Sequence, residues 1–77
     1  MKLKDLKIII ASDISAGRDG IGIEFYYLGE LLLEEIFRDD CKQTHEVTLH
    51  RKEVLLNVVQ YAIDCYQREI PQQFVDA

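Results

Sequence analysis

Seventy-seven residues, 48% of them hydrophobic and 30% charged, carry enough apolar surface to offset their ordering entropy, which excludes a disordered segment. A chain of this length holds one thin core in a single domain, residues 1–77, with little room for a second lobe or an elaborate active site. Fourteen Asp and Glu against nine Lys and Arg leave a net charge of −5, which disfavours nucleic acid as a direct ligand because phosphate neutralisation needs clustered cations.

In chain order, Lys7-Ile8-Ile9-Ile10-Ala11 is short and β-branched and predicts a strand. Ser12 to Gly20 is rich in turn formers and reads as a loop, with Arg18 and Asp19 solvated at its tip. From Ile21 the pattern alternates: Ile21, Ile23, Phe25 and Tyr27 share one face, and Gly22, Glu24, Tyr26 and Leu28 share the other. A turn is expected at Leu28-Gly29-Glu30. Leu31 to Arg38 has helical propensity, yet its place between a Gly turn and Asp39-Asp40 favours the return strand of a hairpin. A β-bulge near Glu34-Glu35 would keep both glutamates out of the core.

Thr44 to Leu49 alternates again, with Val47 and Leu49 opposite Thr44, Glu46 and Thr48. Between Arg51 and Ile70 the period becomes helical. Leu55, Val58, Val59, Ala62, Cys65 and Tyr66 form the apolar stripe, and Pro71 stops the helix. His50 with Glu53 three residues on is expected to open that helix as a weak capping box. The predicted fold is α+β: an antiparallel meander of three or four strands, with one long C-terminal helix on one face.

Two cysteines are too few for a disulfide framework. The apolar run Ile8–Ala11 is shorter than a signal-peptide core of about 7–15 residues, and no stretch approaches the roughly 18 apolar residues of a membrane span. A reduced, cytoplasmic protein is expected.

Few constellations in the chain carry chemistry. Asp13, Ser15, Asp19 and Glu24 fall at calcium-loop ligand positions, but Arg18 stands where that loop needs Gly. Gly17 to Gly22 lacks the spacing of a dinucleotide fingerprint and has no helix after it, so Gly20 and Gly22 read as sites of positive φ or close strand approach. Cys41, His45, His50 and Cys65 have no zinc-binding spacing, and His45 and His50 would point to opposite faces of one strand. Cys41 with His45 has no orienting third group. No catalytic residue, metal or cofactor is expected, and the protein does not read as an enzyme.

The charge distribution is more informative. Residues 1–18 are net positive, whereas residues 19–40 set seven carboxylates against Arg38 alone. In a meander, Glu24, Glu34, Asp39, Asp40 and Glu46 would gather on one exposed surface, with Tyr26 as an aromatic anchor of a type enriched at binding hot spots. These six residues are the expected partner-binding set.

The strings Gly17-Arg18-Asp19-Gly20-Ile21-Gly22-Ile23-Glu24 and Glu35-Ile36-Phe37-Arg38-Asp39-Asp40 sit in a small acidic chain with an expected meander and helix. In these respects it resembles, at the level of class, the immunity proteins of bacterial toxin systems, including the partners of contact-dependent growth-inhibition effectors. The resemblance implies a binding protein that neutralises a cognate toxin, often a basic nuclease, by covering its active site or substrate path. Carboxylates suit that role because they mimic phosphates and steer association with a cationic cleft. Two alternatives remain open. One is a nucleic-acid mimic that inhibits a defence enzyme, and the other a small homodimeric adaptor or regulator using the helix stripe or an open sheet edge.

Overall fold

A computed structural model of the chain describes residues 3–14, 17–28 and 31–75. After a single 3-10 turn at Leu3–Asp5 come four strands, β1 (Leu6–Asp13), β2 (Gly20–Tyr27), β3 (Leu31–Asp39) and β4 (Thr44–Leu49), and one helix, α1 (Leu56–Glu69). The strands form one antiparallel sheet in the order β1-β2-β3-β4. The α+β meander with a C-terminal helix is therefore the fold. β3 is a strand because it is paired on both sides, and that tertiary pairing overrides the helical propensity of its Leu and Glu residues. β1 runs two residues further than its β-branched run, since Ser12 and Asp13 pair with Ile21 and Gly20. Of the expected turn at 28–30, Leu28 lies within the described residues and has a left-handed φ of 55°.

α1 packs on the two central strands, β2 and β3. Ile23, Phe25 and Ile36 meet Ala62, Cys65, Tyr66 and Ile70 in the core, with Ile8, Ile21, Tyr61 and Ile63 packed around them. Val58 is also buried, whereas Leu55 and Leu56 are exposed. The helix begins at Leu56 rather than near Arg51. The expected capping box does not form, because His50 and Glu53 precede the first turn and Leu55 occupies the cap position with no side-chain bond. At the other end the Ile70 N–H donates to the Tyr66 carbonyl, and Pro71 has no N–H with which to continue the ladder.

The bulge lies beside Glu34-Glu35, as expected, but it keeps only Glu35 out of the core. Phe25 pairs with Glu34 and Tyr26 with Leu32, so Leu33 is the extra residue. From Glu34 onward the alternation is unbroken. Ile36 belongs to the core, so Glu34, two residues before it, must turn to the same side, and Glu35 faces outward.

Phe37 is buried although it lies on the sheet face away from α1. Gly22 stands directly opposite it and leaves room for the ring: a Cβ there would sit 2.7 Å from Phe37 Cδ2 and 2.8 Å from the Ile36 carbonyl oxygen. Gly20 is close-packed in the same way, against the backbone of Arg38. Both are close approaches of strand to strand, and neither has a positive φ. Gly22→Ala is expected to lift the Phe37 ring and cost about 1–3 kcal/mol of stability, measured by urea denaturation.

Candidate functional site

The sheet has one face under α1 and one open face, and strand parity decides which side chains the open face carries. Across its middle runs the row Ile9, Glu24, Glu35 and Thr48, each directly opposite the next. Beside it lie Tyr26 and Lys7 on one flank, and Gly22, Phe37 and Glu46 on the other. The Tyr26 hydroxyl donates to Glu24 Oε1 at 3.2 Å. Partial burial raises the Tyr26 pKa above its ordinary value, and the charges of Glu24 and Glu35 add to the effect.

Arg18 is not a solvated loop tip. Its guanidinium carbon lies 3.8 Å from the centre of the Phe37 ring, Nη2 donates to Glu35 Oε1 at 3.0 Å, and Nη1 lies 3.5 Å from Asp13 Oδ2. The β1–β2 loop thereby folds back over the sheet, and a cation seals an aromatic ring that α1 cannot reach.

The six expected binding residues do not share one surface. Glu24, Tyr26 and Glu46 are on the open face and half-buried. Glu46 accepts a 2.7 Å bond from Thr44 Oγ1 and has Lys42 Nζ at 3.6 Å. Asp39 is on the same face but fully buried. Its Oδ1 accepts the N–H groups of Cys41 and Lys42 at 3.1 and 3.0 Å, and Oδ2 lies 3.8 Å from Lys42 Nζ. That carboxylate builds the β3–β4 turn, as an Asp there commonly does.

Asp40 is also committed internally. It pairs with Arg38 Nε at 2.9 Å, receives Arg38 Nη2 at 3.2 Å, and accepts the Val75 N–H at 3.0 Å. Arg38 Nη1 donates in turn to the Pro71 carbonyl at 2.7 Å, so the pair clamps residues 71–75 to the sheet. The Val75 N–H, helped by Arg38, holds the Asp40 carboxyl below its ordinary pKa.

Glu34 departs furthest from the expectation. It faces α1 between Phe25 and Leu49, is fully buried, and neither carboxylate oxygen has a hydrogen-bond partner. Desolvation pushes its pKa up to about 7. The sequence signal was available: a glutamate two residues before a core isoleucine shares its face.

A groove of about 260 Å³ lies between β4 and α1, lined by Ile36, His45, Val47, Ile63, Tyr66 and two glutamines, and none of the six residues reaches it. His45 Nδ1 is 2.6 Å from the Tyr66 hydroxyl, with the Phe74 ring 4.8 Å away. His45 is thus engaged with Tyr66 rather than Cys41. Among the described residues no three His, Cys, Asp or Glu side chains form a metal-holding group. Cys41 is exposed and Cys65 buried, both as free thiols. No helix among the described residues is long and apolar enough to cross a membrane.

Comparison with family models, curated proteins and solved structures finds no match to this chain.

The burial of Glu34 makes stability depend on pH. Its folded pKa lies above the unfolded value of 4.5, so its carboxyl costs nothing below pH 4.5, where both states hold the proton. The cost grows as pH rises through about 7, where the folded state must release its proton. Glu34→Gln is expected to be more stable than the native chain at pH 8, by up to about 3 kcal/mol, with the gap closing toward pH 4.5. Urea melts at both pH values check this, and a gap constant with pH would refute it.

Proposed function

We propose that the protein is a small binding module that neutralises a basic partner protein, as the immunity proteins of bacterial toxin systems do, and that it docks through the open sheet face. The observation that carries the reading is the row at the centre of that face: Tyr26 bonded to Glu24, with Glu35 directly opposite Glu24. Two carboxylates across neighbouring strands repel each other. Arg18 neutralises Glu35, whereas Glu24 meets the Tyr26 hydroxyl and, among the described residues, no Lys or Arg. A guanidinium or ammonium group from a partner would relieve that repulsion, and Tyr26 beside it offers rigid amphipathic contact area.

The contact set is Glu24, Tyr26 and Glu46, with Glu35 supporting them. Asp39, Asp40 and Glu34 are excluded by burial and internal bonding. Long-range steering is a smaller part of this mechanism than the net charge suggests, because Lys7, Arg18 and Lys42 share the face with its carboxylates. Short-range contact with a cationic side chain does more of the selection. A toxin as the partner, and a nuclease among toxins, follows from the class resemblance of the sequence.

Affinity capture from the source cells with the native chain and a Glu24→Lys, Tyr26→Ala double variant as baits tests the reading. The native bait is expected to retain a basic protein that raised salt releases, and the double variant to lose it, with at least about 2 kcal/mol of binding removed. Equal retention on both baits would take the open face out of the mechanism.

A further inference from the structure

We propose that β1 pairs with β1 of a second copy, antiparallel about a two-fold axis through Ile10, which joins two sheets into one of eight strands. The inference is independent of the proposed partner-binding role and rests on the free edge of the sheet.

β1 is an edge strand whose composition suits the middle of a sheet. Ile8-Ile9-Ile10-Ala11 is apolar on both faces, as in strands covered on both sides. Ile8 packs against the core, but its neighbours are not covered: Ile9 is 39% exposed, Ile10 is 47% exposed and Ile14, just beyond the strand, is 82% exposed. Proteins usually blunt such an edge with a proline, a bulge or several charges. β1 has no proline, and its register with β2 is unbroken over eight residues, longer than the usual five or six. The opposite edge differs. β4 has six residues and presents Thr44, Glu46 and Thr48 to the open face.

Charge and parity together choose the occupant and the register. A two-fold axis normal to the sheet keeps each face continuous, so residues opposite each other must share a face. With Ile10 on the axis, Ile9 lies opposite the second copy's Ala11, and Ile8 opposite its Ser12. Leu6 lies opposite its Ile14. On the open face Lys7 lies opposite the second copy's Asp13, and symmetry makes that pair twice. A shift of two residues in total, to an axis at Ile9, sets Lys7 against Ala11 and carries Asp13 past the start of the strand, where Leu3–Asp5 is a 3-10 turn. A shift the other way, to Ala11, sets Asp13 against Ile9. Only the register about Ile10 matches opposite charges at both ends and apolar side chains between them. Arg18 already lies 3.5 Å from Asp13, so Lys7 of the other copy joins an existing ion pair.

In this arrangement both helices lie on one side of the joined sheet, and the two inner-face flanks beside β1 lie next to each other, with Ile10 against Ile10. Both open faces, each with its own Glu24 and Tyr26, remain free on the other side.

Sedimentation velocity on the full chain tests the proposal, and a dimer is expected. Lys7→Asp sets a carboxylate against Asp13 and is expected to weaken the dimer about tenfold, whereas adding Asp13→Asn to it removes the repulsion without setting a cation against Arg18 and recovers part of the affinity. In a Cys41→Ser background, Ile10→Cys is expected to form a disulfide-linked dimer with oxidised glutathione, while Val47→Cys on β4 does not. The cross-link keeps every charge, so it decides the matter should Lys7→Asp fail to fold by circular dichroism. A chain that stays monomeric at its highest soluble concentration overturns the proposal. So does a dimer that tolerates Lys7→Asp and cross-links through Val47→Cys. Neither result bears on capture of a basic protein by the open face, which is read with different variants.

Discussion

One helix has to serve a sheet of four strands. The outer strands stand about 15 Å apart, while a helix with its side chains is about 10–12 Å across. α1 settles on β2 and β3, where Ile23, Phe25 and Ile36 meet its buried stripe. From that choice the rest of the molecule follows. Parity places Glu24, Glu35 and Phe37 on the far side, and the flanks of the inner face are left with Ile10 on β1 and Val47 and Leu49 on β4 exposed. The same choice turns Glu34 inward, because no strand can hold Ile36 in the core and leave Glu34 outside without a second bulge.

The chain compensates on the open face without a second helix. Phe37 is buried by two devices: Gly22 opposite it, which lets the ring lie against the backbone, and Arg18, which covers it from the loop. The guanidinium is itself held by Glu35 and Asp13. A residue that is polar by composition thus does the covering work of an apolar one, while its charge stays satisfied at the surface. At the opposite end Arg38 and Asp40 perform a comparable task, fastening Pro71 and Val75 across the edge of the core.

Periodicity made the fold legible. The alternation from Ile21 and from Thr44, the change of period after Arg51 and the stop at Pro71 each correspond to an element of the structure. The site was less legible, because a local charge count treats every carboxylate as a surface group. Asp39 and Asp40 follow a strand end and serve the turn and the C-terminal clamp, roles set by backbone N–H groups that composition does not reveal. Arg18 depended on a contact between a loop and a strand nineteen positions away, which no local pattern encodes. Glu34 was the exception, since its face follows from Ile36 once the hairpin is granted.

Glu34 also bears on how a domain with so thin a core holds together. A buried carboxyl without a partner is tolerated where the surrounding contacts outweigh its desolvation, and here it stands between Phe25, which is fully buried, and Leu49, which is half exposed on the outer strand. Its cost is smallest when the group is protonated, so acidity relaxes the interior at Glu34, while the carboxylate of Asp40 at the clamp is kept ionised by the Val75 N–H and Arg38. The two groups respond to pH in opposite senses. Protonation of Glu34 removes a penalty from the core, whereas protonation of Asp40, at a pH below the ordinary carboxylate range, loosens the clamp beyond the end of β3. The combined contribution of these two groups is therefore greatest between their ordinary values, 3.8 for Asp40 and 4.5 for Glu34, and it declines on either side.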